Sequence, residues 1–277
     1  MIRIITDSTS DIGKKHGEEL GIDIVPLGVI FGEETFSDGV TITAKEFYKK
    51  LETVTELPKT SQVSPFQFET LFKKYIDDGD EIIGIFLSHK MSGTYQSAVI
   101  ASEFCPEKIH LIDSLNVTVC LGLLVEEAVR LKNTGMSAKD ITEKLDEIKY
   151  KLRLFAIVDT LKYLQMGGRI STTSAIVGSL LDINPIIGIY DGLVESVGKT
   201  RGKKAAYRWI EKKVHEEVID TSYPICFANS NTPELMEDFI KHLSSKLHIK
   251  NSYISDIGPV VGTHAGPGAV CIAYFTK

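Results

Sequence analysis

The sequence predicts an α/β protein of two domains, and three observations carry that prediction. Apolar strand-like runs alternate with amphipathic helical runs through the first half, as in a mostly parallel sheet covered on both faces. In the second half, Tyr190-Asp191-Gly192-Leu193 lies between two apolar stretches and reads as a hairpin turn, which brings in antiparallel pairing. A length of 277 residues suits one large or two medium domains. The boundary is placed after the charged helix that ends around Arg153, giving domains 1–153 and 154–277.

In chain order, Ile2–Ile5 opens the first strand with none of the long apolar core of a signal peptide before it. Thr6-Asp7-Ser8-Thr9-Ser10-Asp11 follows, a run suited to helix capping and Asx turns. Ile22–Phe31 reads as a second strand. Thr43 and Glu46 form a capping box before a helix. Ser64 caps another, with Pro65 at the first helical position. Strands are expected at Glu81–Leu87 and Ile109–Ile112, with helices starting at about Thr94, at Val117 and after Ser137. Gly135 ends the run from Val117. Leu154–Val158, Pro185–Ile189, Ile225–Ala228 and Val270–Phe275 complete the strands, and Thr232-Pro233 starts one more helix.

Composition narrows the function. Acidic residues outnumber Lys and Arg by 37 to 31, for a net charge of −6, which disfavours a general nucleic-acid surface. Cys105, Cys120, Cys226 and Cys271 form no CxxC pair, so no metal site is expected. Three of them sit in apolar runs, as buried thiols of a reducing cytosol do. The apolar stretch Ala175–Val194 is interrupted by Asp182, Pro185 and Asp191, too often for a membrane span. There is no GxSxG elbow, no phosphate loop and no HExxH.

Polar loops after strands are where an open parallel sheet binds ligands. Thr60 and Ser61 approach a helix N-terminus and suit either an anion or local backbone. Ser92 and Gly93 stand in the same relation to the helix at Thr94, where Ser92 equally reads as an N-cap. Arg169 follows a glycine pair and could meet a ligand or remain at the surface. Arg201, Lys203, Lys204 and Arg208 form a basic cluster, either a solvated helix face or a contact for anionic lipid or an acidic partner. Gly262-Thr263-His264-Ala265-Gly266-Pro267-Gly268 has a composition that neither helix nor strand favours, and His264 could reach out of such a turn. One catalytic reading is a serine hydrolase that uses Ser92, His264 and a carboxylate such as Asp113. A further reading is a regulatory module in which these motifs only maintain turns.

The stretches TDSTSD, TSQVS, SGTYQSA, DTLKYLQMGGRIS and VGTHAGPGA occur in that order between Thr6 and Ala269. Together they closely resemble the DegV family of bacterial fatty-acid-binding proteins, which includes the FakB subunits of fatty acid kinase. The resemblance implies a three-layer α/β/α domain with a mostly parallel sheet and a two-layer α/β domain with a mixed sheet. It implies a long-chain fatty acid between or within them, its carboxylate held by Thr60 and Ser92, with His264 in the head-group network. Ser61, Gly93 and Gly266 would support that network. Arg169 and Arg201 match positions tied to the head group or to the partner and membrane surface. By the same resemblance the chain is a carrier without catalytic residues, cofactor or metal. It would present the lipid to a separate fatty acid kinase subunit and carry the acyl phosphate afterwards. It would reside in the cytoplasm, with transient contact at the anionic inner face of the membrane. One departure is Ser88-His89-Lys90-Met91, where many members have paired serines; His89 is expected to be solvated.

Overall fold

The architecture was obtained as a computed structural model, which describes residues 1–170, 183–247, 249 and 251–277. Ser171, Asp182 and His248, singled out from the sequence, lie outside the described residues. Strands and helices are numbered in chain order.

A four-stranded sheet is built from β1 (Ile2–Asp7), β2 (Asp23–Val25), β6 (Glu81–Phe86) and β7 (Ile109–Asp113) in the order β2-β1-β6-β7, all parallel. Its side chains alternate between two apolar clusters. Ile5, Ile82, Phe86 and Ile109 pack with Phe68 and Phe72 of α3 (Pro65–Asp77) and Ala98 of α4 (Thr94–Ser102). Ile4, Ile83, Ile85 and Ile112 pack against α5 (Thr118–Asn133) and α6 (Ala138–Ile148). This is the three-layer arrangement, and burial on both faces explains why these strands read as continuous apolar runs.

The run Ile22–Phe31 is not one strand. It divides into β2 and β3 (Gly28–Phe31), which belong to different sheets. Pro26 lies between them; its ring fixes φ and removes a ladder donor, so the chain leaves the first sheet there. β3 is the centre of a three-stranded antiparallel sheet, β4-β3-β5, with β4 (Glu34–Ser37) and β5 (Lys59–Ser61). Thr60 and Ser61 therefore sit on a short edge strand, paired with Val29 and Gly28.

The other large sheet is mixed. Its order is β10-β9-β8-β13-β11-β12, formed by β8 (Leu152–Ile157), β9 (Ile183–Tyr190), β10 (Leu193–Arg201), β11 (Ile225–Asn229), β12 (Ser252–Asp256) and β13 (Val270–Phe275). All neighbours are antiparallel except β11 and β12. The hairpin reading holds: Tyr190 pairs with Leu193, and Asp191 and Gly192 both have positive φ, at 45° and 77°. One face carries Phe155, Phe227 and Ile272 against α8 (Lys203–Glu217) and α9 (Pro233–Leu247). The opposite face, with Leu154, Ala228 and Cys271, joins the cluster around α5. Among the described residues, strands β1 to β7 pair only with one another, as do β8 to β13, whereas one apolar cluster runs from Ile4 to Phe275.

The glycine-rich segment near His264 corrects the sequence reading. Gly262, Thr263, His264 and Ala265 lie in a helix, α10 (Pro259–Ala265), with α1 (Lys14–Leu20), α2 (Ala44–Leu51) and α7 (Lys162–Met166) completing the set. Pro259 occupies the first helical turn and Gly266, at φ 74°, ends it. The composition permits a short helix because its punctuation falls at the two ends. None of the described helices is long and apolar enough to cross a membrane.

Candidate functional site

A cavity of about 370 Å³ opens between the two large sheets, within the size range of small-molecule sites. Its apolar wall includes Met91 and Val117 from the first half, Ala156, Ile187 and Cys271 from the mixed sheet, and Val260 of α10. Ala156 pairs with both Cys271 and Ile187, so three adjacent strands present one apolar surface.

Most of the polar lining comes from four segments, Thr60, Ser61 and Gln62; Ser92 and Gly93; Arg169; and His264, with Thr9 and Thr118 as further polar lining residues. His264 Nε2 lies 3.0 Å from Thr60 Oγ1. Its Nδ1 is buried with no hydrogen-bond partner among the described residues. Burial, reinforced by the nearby Arg169 guanidinium, lowers the imidazole pKa to about 4. The ring is therefore neutral at physiological pH, with one nitrogen still available.

Arg169 Nε donates to Met91 O at 3.2 Å, and Nη1 donates to Gly167 O. The guanidinium thus ties the loop before α4 to the turn after α7. It has no carboxylate partner among the described residues. A half-buried cation without a counter-ion among the described residues, beside a neutral imidazole and several hydroxyls, suits an anionic head group.

Ser92 is not the N-cap of α4, but it stands one residue before that cap and lines the cavity. Its Oγ accepts from Thr94 N at 3.3 Å, a local turn bond, and lies 3.0 Å from Thr94 Oγ1. Gly93 is the N-cap of α4, and a Cβ there would overlap the Gln62 amide at 2.1 Å. Gln62 Nε2 in turn donates to Ser97 Oγ at 2.9 Å. Gly266 lies outside the lining and packs against the Tyr163 ring. Arg201 lies apart from the cavity, exposed where β10 pairs with Ile183.

The hydrolase arrangement is not present. His264 is bonded to Thr60 rather than Ser92, and among the described residues no acid meets its Nδ1. Asp113 is engaged elsewhere: its carboxylate accepts from the backbone amides of His89 and Leu115 and pairs with the His89 ring. His89 is thus a half-exposed partner of Asp113 rather than a freely solvated side chain.

Sequence reasoning missed a group of buried acids that positions α10. The TDSTSD run does cap: Asp7 Oδ1 accepts from Thr9 N at 2.9 Å. Asp7 Oδ2 also takes Leu87 N at 2.8 Å, at the end of β6. Asp11 accepts from Thr118 Oγ1 at 2.6 Å and from Gly258 N at 2.9 Å. Asp38 accepts from Val260 N at 3.4 Å. Two carboxyls from the first half therefore hold the start of the helix that carries His264. Burial raises Asp7 to about 6 and Asp38 to about 7, and pushes Asp11 well above the usual carboxylate range. A sequence signal existed for Asp7 and Asp11 in their motif; Asp38 lies in an ordinary turn with none.

Comparison with known proteins follows this geometry. A family model described as "Uncharacterised protein, DegV family" matches residues 1–277. A DegV domain-containing protein of Caldanaerobacter subterraneus subsp. tengcongensis is 36% identical over 278 residues, covering 100% of this chain and 99% of the relative. A DegV family protein from Thermus thermophilus, described for its fatty acid binding, has a TM-score of 0.91 at 28% identity, covering 100% of this chain and 99% of that one. DegV from Bacillus subtilis, described as a fatty acid binding protein, has a TM-score of 0.85 at 32% identity with the same coverage. A stearic acid-binding protein from Eubacterium ventriosum has a TM-score of 0.87 at 28% identity, again covering 100% and 99%.

Proposed function

The chain belongs to the DegV family, and from that premise we propose that it binds a long-chain fatty acid, with the acyl chain in the cavity between the sheets and the carboxylate at Thr60, Ser92 and His264. The observation that carries this reading is the pairing of an apolar wall with one polar cluster, in which, among the described residues, His264 Nδ1 has no partner and Arg169 has no counter-ion. Each buried methylene contributes roughly 0.8 kcal/mol. A chain of about fourteen methylenes thus gains on the order of 11 kcal/mol before ordering costs. Affinity comes from the chain and orientation from the head group. A neutral imidazole donates one hydrogen bond without adding a fixed buried charge, while Arg169 supplies the opposite sign.

The same reading makes the protein a carrier rather than a catalyst. Held by hydroxyls, the carboxylate is offered to a separate kinase subunit, and the acyl phosphate returns on the same scaffold. Ser61 and Gly93 line the cavity beside the head group, and Gly266 ends the helix that carries His264. The exposed Arg201, with Lys203, Lys204 and Arg208, forms the face for that partner or for the anionic inner surface of the membrane, consistent with a cytoplasmic protein that docks transiently.

Protein purified from a bacterial host is expected to contain fatty acid, and delipidated protein to rebind it. Mass spectrometry of the extracted ligand checks this; reproducibly empty protein that fails to rebind would overturn the reading. Ser92→Ala and Thr60→Val should each weaken fatty-acid binding about tenfold or more, the value of a hydrogen bond to a charged group. The fatty acid methyl ester should bind Ser92→Ala and the parent protein alike. An equal loss for acid and ester would remove Ser92 from the head-group site.

A further inference from the structure

A second concavity, of about 730 Å³, lies where free edges of the two large sheets approach one another. β2 ends the parallel sheet and β12 ends the mixed one. Ile22, Asp23 and Ile24 line the cleft from one sheet, and Ile254, Ser255 and Asp256 from the other. Pro259 of α10 also lines it, whereas Val260, Val261 and His264 line the lipid cavity. The helix stands between two different sites.

Three features of this cleft belong together. First, among the described residues β12 pairs with β11 on one side only, and its outer ladder groups face no strand. Its side chains alternate. Tyr253 OH donates to Glu126 at 2.7 Å and Ser255 Oγ donates to Asp11 O, while Ile254 and Asp256 are exposed. Second, Ile254 is 56% exposed and Val40, from the turn before α2, is 69% exposed; both line the cleft. Third, the lining holds five carboxyl residues, Asp11, Glu18, Asp23, Asp38 and Asp256, against one lysine, Lys14. None of these five forms an ion pair among the described residues; Asp11 and Asp38 are buried with raised pKa values and hold α10, so the charge offered to a partner is that of Glu18, Asp23 and Asp256, of which Glu18 and Asp256 are exposed.

We propose that this cleft docks an extended segment of a partner protein, bearing Lys or Arg beside β-branched residues, which adds as an outer strand to β12. A small polycation would meet the carboxylates but would leave Ile254, Val40 and the ladder of β12 uncovered. An extended basic segment meets all three: its backbone pairs with the edge, its apolar side chains cover Ile254 and Val40, and its cations face Glu18, Asp23 and Asp256. Nucleic acid is repelled by the same charge. The site is distinct from the lipid cavity, so it stands or falls independently of the fatty-acid reading.

The probe is a fluorescein-labelled heptapeptide alternating valine and lysine, with a valine–glutamate counterpart as control and spermidine as competitor. Anisotropy titrations use the full-length protein, the double variant Ile254→Lys/Asp256→Lys, and Val40→Lys as an independent variant on another element. The expected result is saturable binding of the basic peptide, weakened at least about tenfold by the double variant and severalfold by Val40→Lys. The acidic peptide should not bind, and spermidine should displace the basic one only in part. Fatty-acid content and melting temperature of both variants should be those of the parent, since neither alters a lipid-cavity residue. Absence of saturable binding, undiminished binding by the correctly folded variants, or full displacement by spermidine would each overturn the proposal.

Discussion

Asp38→Asn is expected to stabilise the protein by about 2–4 kcal/mol at pH 8 and by little below pH 4. The Asp38 carboxyl is 4% exposed, and burial raises its pKa to about 7. No cation pairs with it among the described residues. An unfolded aspartate titrates near 3.9. Between these values the folded state binds more protons than the unfolded state, so stability falls as pH rises through that window. A difference of about three units corresponds to at most roughly 4 kcal/mol. Asparagine resembles the protonated carboxyl and keeps a carbonyl to accept from Val260 N. Its benefit should therefore appear only where the parent carries a buried charge. His264 has the opposite sign: its depressed pKa makes stability fall as pH drops from about 6.5 to about 4. Urea unfolding at pH 4, 6 and 8 separates the two, and a gain for Asp38→Asn that is equal at all three would refute the linkage.

Gly266→Ala should lower stability by about 3–5 kcal/mol and the melting temperature by roughly 10 °C. Gly266 has φ 74° and ψ 175°, a region open essentially only to glycine. A Cβ at this position would stand 2.3 Å from Tyr163 Cδ2 and 2.6 Å from Cε2. The ring cannot yield without disturbing α7, which leads into Arg169, while the strained turn pulls on His264 two residues upstream. Reduced fatty-acid retention should accompany the lower melting point. Gly135 makes a useful control, because it has φ 83° but nothing within 4 Å of an added Cβ. Its alanine variant should cost only about 1–2 kcal/mol, the price of the dihedral. Equal melting temperatures for the two variants would show that contact with Tyr163 does not matter.

Much of the fold was legible where side-chain periodicity and burial coincide. β6 is buried on both faces and appears in the sequence as an unbroken apolar run. The capping boxes at Thr43 and Ser64 marked the starts of α2 and α3. β5 and β12 escaped notice because they are short edge strands with exposed polar residues, Lys59-Thr60-Ser61 and Ser252 to Asp256, where no apolar pattern is required. Pro26 was the available signal that Ile22–Phe31 divides between sheets. At the site, Thr60, Ser92, His264 and Arg169 could be named from their motifs, but the Thr60–His264 contact joins residues 204 positions apart and no local rule reveals it. The apolar wall was equally hidden, since a cavity-lining valine and a core valine look the same in sequence. Asp38 was missed for the converse reason: what distinguishes it is the depth of its burial, which is a property of the assembled fold.

The apolar cluster that runs from Ile4 to Phe275 has a consequence for local opening. Helix α5 is buried against the inner faces of both large sheets, so neither sheet can expose that face without the other. The cavity is a gap inside this shared core, lined by Val117 just before α5 and by Cys271 of β13. Lining atoms without neighbours forfeit dispersion contacts, and a bound acyl chain restores them. Filling the gap also stabilises the native state in proportion to the logarithm of ligand excess. Amides of α5 and β13, remote from any head group, should then exchange with solvent more slowly as the protein loads. Occupancy would be recorded as rigidity across both halves of the chain.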